Sequence, residues 1–122
     1  MGKMRQKIID FIKEQYNAVP EYLWRRYPTF CVFRHYNNNK WFGIMMTVPC
    51  SVIGLSGKGT IDIINVKTDN VEFLRGVAGI LPAYHMNKAT WVSVILDGTV
   101  SEKNVRKLIE MSYGLTAQGK NT

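Results

Sequence analysis

The residues whose side chains could do the most varied chemistry are concentrated between positions 84 and 91. Tyr84, His85, Asn87 and Lys88 occur close together and are followed by Trp91. A histidine can titrate near neutral pH, an asparagine can donate and accept hydrogen bonds, and a lysine carries a positive charge. These residues are therefore a candidate site for an anionic ligand. The alternative is that His85 and Asn87 bond to backbone groups and only shape a loop.

The second chemically informative feature is an uneven distribution of charge. The 122 residues include 16 Lys and Arg against 9 Asp and Glu, giving a formal net charge of +7. No acidic residue occurs between Glu21 and Asp62. This bias favours a polyanionic partner such as DNA. The candidate nucleic-acid-binding residues are Arg34, Asn38, Lys40, Trp41, Lys58, Lys67 and Lys88. The alternatives are that the cations point in different directions and form no patch, and that Trp41 and Trp91 are packing residues.

Enzymatic and metal chemistry find little support in the sequence. Cys31 or Cys50 could act as a nucleophile with His35 or His85 only if the fold brought distant positions together. The closely spaced ligand pairs of a zinc site are absent. We therefore expect no catalytic residue, no metal and no cofactor. Two free thiols are expected, because Cys31 and Cys50 lie 19 residues apart without Cys-x-x-Cys spacing, and a disulfide between them is the alternative.

The apolar pattern predicts a single α+β domain spanning residues 1–122. Helices are predicted at Lys3–Asn17, Glu21–Tyr27 (one short turn), Thr68–Val77 and from Ser101 to Met111–Tyr113, where Gly114 would end the last one. Strands are predicted at Phe30–Tyr36, Trp41–Val48, Thr60–Lys67 and Thr90–Leu96, with a short extended piece at Ala83–Met86. The main order is helix, three strands, helix, one or two strands, helix. This order predicts an antiparallel sheet backed by helices on one face.

Alternation along the second predicted strand assigns its side chains to two faces. Phe42, Ile44, Met46 and Val48 are expected on one face, and Trp41, Gly43, Met45 and Thr47 on the other. Residues 118–122 are predicted to be a frayed polar tail. No run of residues is apolar enough for a membrane span, and the first residues lack the apolar core of a signal peptide. A cytoplasmic location without membrane contact is therefore expected.

Several segments carry a resemblance to a known family. They are YPTFCVFRH (27–35), KWFGIM (40–45), INVKTD (64–69), PAYHMNKATWVSVILDG (82–98) and LIEMSYGLT (108–116). The chain resembles the MmcQ/YjbR family of small bacterial proteins from Tyr27 almost to its end. One departure is Asn70, where the family usually has proline, and it affects only the start of a helix.

The resemblance implies a compact α+β domain described as CyaY-like or secretion-chaperone-like. It also implies DNA binding through a double wing, for which the candidate wings are the loops Asn37–Lys40 and Pro49–Gly59. The alternative function is a protein- or small-ligand-binding module that uses the Tyr84–Trp91 region. A protein partner would dock on exposed apolar surface, and the candidate surface is the Trp41–Met45–Trp91 sheet face. The oligomeric state is left open.

Overall fold

A five-stranded antiparallel sheet carries two long helices on one face in the computed structural model, which describes residues 3–117. The elements are α1 (Lys3–Tyr16), β1 (Cys31–Arg34), β2 (Trp41–Pro49), β3 (Thr60–Lys67), α2 (Val71–Leu74), β4 (Ile80–Pro82), β5 (Trp91–Ile95) and α3 (Glu102–Thr116). The strand order is β1-β2-β3-β5-β4, and a 3₁₀ turn, Cys50–Ile53, follows β2. The predicted α+β class and helix-backed antiparallel sheet are confirmed. The tail prediction for residues 118–122 lies outside the described residues.

The face of the sheet that carries α1 and α3 holds the larger apolar core. Buried side chains of the helices (Ile8, Phe11, Ile12, Val105, Leu108 and Ile109) pack with buried strand residues that include Cys31, Phe33, Ile64, Val92 and Val94. Ser101 begins α3 by accepting a hydrogen bond from the Asn104 amide at 3.2 Å. The Ser112 hydroxyl donates to the Phe42 carbonyl at 2.7 Å and accepts from the Lys67 amide at 2.9 Å. These bonds fix α3 to both β2 and β3.

The opposite face, which we call the loop face, has its own apolar cluster and no helix among the described residues. Its buried members are Val32, Ile44, Met46, Val48, Ile63 and Ile95. Trp24 and Phe30 cover it from the segment before β1, and Tyr84 and Met86 cover it from the segment after β4. Ile53 and Leu55 add cover from the β2–β3 connection. The central strands are therefore buried on both sides, and connecting segments cover this face in place of α-helices.

A β-bulge corrects the predicted faces of β2. Phe33 pairs with Gly43 but Arg34 pairs with Trp41, so Phe42 is an extra residue in β2. Phe42 consequently turns to the helix side and packs in the same cluster as Met45, whereas Trp41 packs on the loop face. The expectation that Phe42 shares a face with Ile44 is wrong. The predicted docking surface formed by Trp41, Met45 and Trp91 on one sheet face is also wrong, because Met45 is buried under the helices on the opposite face.

Other predicted boundaries are also corrected. Glu21–Tyr27 is not helical, because Glu21 exchanges two backbone hydrogen bonds of 3.0 Å with Val32 at the edge of the sheet. The helix predicted at Thr68–Val77 is only the four residues of α2. The extended piece predicted at Ala83–Met86 is wrong, because the short strand β4 lies before it at Ile80–Pro82 and positions 84 and 85 form a turn. Gly114 lies inside α3, which continues to the buried Thr116. No helix within residues 3–117 is long and apolar enough to cross a lipid bilayer.

Candidate functional site

A cavity of about 260 Å³ lies on the loop face. Ile44 and Met46 of β2 line it together with an aromatic set. That set comprises Trp24, Tyr27, Phe30, Trp41, Tyr84 and His85. We call this cavity the aromatic pocket. It combines one strand with two loops that are distant in sequence, which is why no single motif predicts it.

The first loop lies between Glu21 and Val32, which are bridged, and two turns shape it. The Tyr27 amide donates to the Trp24 carbonyl at 3.1 Å, and the Phe30 amide donates to the Tyr27 carbonyl at 3.0 Å. Tyr27 stacks on Phe30, with ring centroids 4.8 Å apart and planes 20° apart. Trp24 meets Trp41 edge to face at 5.9 Å. The rings therefore support one another and define the wall of the pocket before any ligand arrives.

The second loop is held by a buried hydrogen-bond network. Asn65 and Ser93 are fully buried on neighbouring strands. The Asn65 amide nitrogen donates to the Tyr84 carbonyl at 2.9 Å, and the Ser93 hydroxyl accepts from the Tyr84 amide at 2.9 Å. The Ser93 hydroxyl also donates to Asn65 Oδ1 at 2.5 Å. Both backbone groups of Tyr84 are thus bonded to the sheet, and its side chain is placed at the pocket.

His85 occupies an uncommon backbone conformation in this loop. Its φ is 60°, in the left-handed region that a histidine rarely adopts. Its ring lies 4.0 Å from the Tyr84 ring, and the residue is exposed at the pocket. The network that fixes Tyr84 also holds the start of this strained turn, so the position of His85 follows from buried contacts next to it.

The candidate ligand cluster divides into two groups. Tyr84 and His85 line the aromatic pocket. Asn87 instead shapes a turn, because its Oδ1 accepts from the Ala89 amide at 2.9 Å and its carbonyl accepts from the Trp91 amide at 3.0 Å. Lys88 is exposed in that turn, and Trp91 packs half-buried against the loop-face cluster. Tyr84 and His85 therefore remain candidates for ligand contact, whereas Asn87 shapes the loop.

Most of the candidate nucleic-acid residues lie at one end of the sheet, which we call the basic end. Arg34 ends β1, Trp41 begins β2, Lys67 ends β3 and Trp91 begins β5. Arg34 pairs with Trp41 and Lys67 pairs with Trp91, so cations and aromatic residues alternate across about 14 Å of four adjacent strands. Lys40 and Lys88 belong to the same end, since they precede β2 and β5.

Two of the candidates are placed differently. Lys58 is exposed in the β2–β3 connection, at the far end of the eight-residue β3 and about 25 Å from the basic end. The two predicted wings therefore lie at opposite ends of β2. Asn38 is used inside the fold, because its amide donates to the Thr116 carbonyl at 3.0 Å and its Oδ1 accepts from the Lys40 amide at 2.8 Å. It anchors the hairpin tip to α3.

Arg34 at the basic end makes one described ion pair. Arg34 Nε lies 3.0 Å from Glu21 Oε1, and both side chains are partly exposed. Such a pair contributes little stability, and its guanidinium keeps further N–H donors for another anion. The basic end can therefore still attract phosphate.

Neither cysteine lines the aromatic pocket, and His35 does not line it either. Cys31 is a buried free thiol, and burial raises its pKa; Cys50 is a half-buried free thiol. His35 is buried beside α3, with Nε2 2.7 Å from Thr116 Oγ1, and burial lowers its pKa. Within residues 3–117, no group of three His, Cys, Asp or Glu side chains is arranged to hold a metal ion.

Sequence reasoning missed the first wall of the pocket and two cations next to it. Trp24 and Tyr27 were expected to lie in a helical turn, whereas they flank Arg25 and Arg26 in an exposed turn. The available signal was that Pro20 and Pro28 bracket a short segment whose aromatic residues have no helical period. That signal indicates an irregular loop, but it does not identify the part of the sheet on which the loop packs.

Comparison with known proteins places the chain among relatives of similar length. The family model named YjbR matches residues 13–115. YyaQ of Bacillus subtilis, described as uncharacterised, is 41% identical over 114 residues, which are 92% of this chain and 97% of that protein. A crystal structure from Pseudomonas syringae superposes with a TM-score of 0.89 at 40% identity, covering 92% of this chain and 97% of that one. A crystal structure from Deinococcus radiodurans superposes with a TM-score of 0.71 at 22% identity, covering 97% of this chain and 80% of that one. This second likeness supports the fold alone.

Proposed function

We propose that this protein, which belongs to the YjbR family, is a non-enzymatic protein that binds DNA weakly through phosphate contacts at the basic end. The observation that carries the proposal is the convergence of Arg34, Lys40, Lys67 and Lys88 from four separate segments onto one end of the sheet. The same end carries Trp41 and Trp91. Both tryptophans are half-buried, and cations beside partly exposed aromatic side chains are a common arrangement on surfaces that bind nucleic acid.

Electrostatic contact of this kind has a measurable signature. If the four cations each meet a phosphate, log affinity should fall against log salt with a slope of roughly −3 to −4. No segment of the sequence resembles a recognition helix, so we expect little discrimination between duplex sequences. The bound state would then be held mainly by counterion release.

The experiment compares two charge reversals that differ only in location. Lys88→Glu alters the basic end, and Lys58→Glu alters an equally exposed lysine at the opposite end. Binding to a short labelled duplex is followed by fluorescence anisotropy over increasing salt. We expect Lys88→Glu to weaken binding and to make the salt slope shallower by about 1, and Lys58→Glu to leave both close to wild type. Equal losses in both variants would refute the basic end as the contact. Absence of binding at low salt would refute DNA binding itself.

The alternative, a protein- or small-ligand-binding module, is favoured by the aromatic pocket, to which Tyr84 and His85 both contribute. Affinity in an apolar pocket comes from surface burial, which salt does not screen. A ligand of this kind would bind equally well at low and moderate salt. The salt series therefore separates the two functions.

A further inference from the structure

The aromatic pocket lies next to cations that the fold does not use. Arg25 and Arg26 occupy the exposed turn between the lining residues Trp24 and Tyr27. Among residues 3–117, the described ion pairs include neither arginine, and Glu21, the acidic residue nearest to them in sequence, pairs with Arg34. An apolar aromatic cavity with free positive charge beside it is complementary to a flat ring that is attached to an anionic group.

The volume of the cavity limits the size of the ring that it can hold. At about 260 Å³ it falls just below the range of pockets for drug-sized molecules, and it suits one planar ring system. Its lining includes Tyr27, which is stacked on Phe30, and Trp24, which packs edge to face with Trp41. Surfaces of this kind stack nucleobases without strong preference among them.

Trp41 connects the pocket to the basic end. It lines the pocket and also begins β2 beside Arg34. A strand whose phosphates lie along the basic end would therefore pass the opening of the pocket. A base inside a duplex is already stacked and paired, whereas a base in a single strand is available.

From these observations we infer that the aromatic pocket receives one unstacked base of single-stranded DNA whose phosphates lie on Arg25, Arg26 and the basic end. The inference rests on the proposed DNA binding and specifies its preferred form. Single strands should bind more tightly than duplexes that carry the same number of phosphates. Base identity should matter little, because stacking supplies the contact.

The test uses the wild-type protein and three oligonucleotides that present equal numbers of phosphates. They are a single-stranded oligothymidylate, the same strand with abasic sites in place of its bases, and a duplex. Tryptophan fluorescence is a second readout, because a base stacked at Trp24 or Trp41 should quench it. We expect the oligothymidylate to bind best and the abasic strand to lose affinity by roughly 5- to 150-fold. Equal binding of both single strands would overturn the inference and leave phosphate contact standing. Binding of none at low salt would overturn the DNA proposal.

A matched pair of tyrosine variants locates the contact. Tyr27 lines the pocket and is 52% exposed, and Tyr36 lies 98% exposed at the β1–β2 hairpin tip. Tyr27→Ala should weaken single-strand binding several-fold without changing abasic-strand binding, and Tyr36→Ala should change neither. Equal behaviour of the two variants would overturn the pocket as the base site. The abasic comparison keeps the test valid even if Tyr27→Ala proves unstable, because it uses the unmodified protein.

Discussion

Replacement of Ser93 with alanine should cost much more stability than the loss of one surface hydroxyl. The Ser93 hydroxyl is fully buried, donates to Asn65 Oδ1 and accepts from the Tyr84 amide. Ser93→Ala removes both hydrogen bonds and leaves a buried amide oxygen and a backbone N–H without these partners. The space left by one oxygen atom is at the lower limit for a water molecule, so solvent should not restore them.

The magnitude follows from the two groups that lose a partner. Each buried polar group left unpaired costs about 1–3 kcal/mol, and the Tyr84 amide, which is only partly buried, belongs at the lower end. We therefore expect a loss of about 2–4 kcal/mol in the free energy of unfolding. A domain of this size has about 5–15 kcal/mol in total, so the variant should still fold.

Urea unfolding followed by circular dichroism measures this difference. The matched control is Ser56→Ala, which removes the same hydroxyl from an exposed loop position and should stay within about 0.5 kcal/mol of wild type. Asn65→Ala removes the other side of the same bond, so the double variant should lose less than the sum of the single losses, by about 0.5–3 kcal/mol. A Ser93→Ala loss no larger than that of Ser56→Ala, or strictly additive losses, would show that the network does not hold the Tyr84 loop.

Two further predictions concern the backbone and pH. Gly79→Ala should lower the free energy of unfolding in urea by about 1–3 kcal/mol more than Gly98→Ala does. Both glycines have a positive φ, but only at Gly79 would the new Cβ lie 2.8 Å from a Val100 methyl carbon. Equal losses in the two variants would refute the close contact. Burial lowers the pKa of His35 below its ordinary 6.5, so the unfolded chain binds a proton more readily than the folded one. Stability should therefore fall from about pH 7 to about pH 5, and His35→Gln should show a shallower fall in the same unfolding measurement. An equally steep fall in the variant would contradict a lowered pKa of His35.

The parts of the fold that could be predicted from the sequence are those in which one period dominates. The helical spacing of Ile8, Phe11 and Ile12 predicts α1, and similar spacing after the Ser101 cap predicts α3. The β-branched runs of β3 and β5 are equally clear. In each case burial of one face decides the local structure, so local pattern and tertiary structure agree.

The rest could not be predicted because longer-range contacts decide it. Phe42 looks like an ordinary strand residue, and only the register of β1 against β2 makes it a bulge. Glu21 has a good helical context, but the edge of the sheet offers it two backbone hydrogen bonds. Gly114 is a typical helix end, yet buried Thr116 beyond it carries α3 further.

The sequence predicted which residue types contribute to the candidate site better than it predicted where the fold places them. Tyr84 and His85 stood out as residue types, and the pocket they line depended on a loop before β1 that lacked any motif. Asn87 stood out equally, but an asparagine that closes its own turn has the same local sequence as one that binds a ligand. Lys58 could have been separated from Lys40 in advance, because the loops before and after one strand of an antiparallel sheet lie at opposite ends of that strand.

The Glu21–Val32 bridge and the shortness of β4 also affect how this sheet meets further copies of itself. Exposed strand edges recruit other strands and lead to aggregation. On one edge, Glu21 occupies both the N–H and the C=O of Val32 in the four-residue β1. On the other edge, β4 has three residues and ends in Pro82, which has no amide hydrogen to offer. Both margins of the sheet thus resist edge-to-edge polymerisation, so the aromatic pocket can stay open on a sheet whose edges are protected against strand-to-strand assembly.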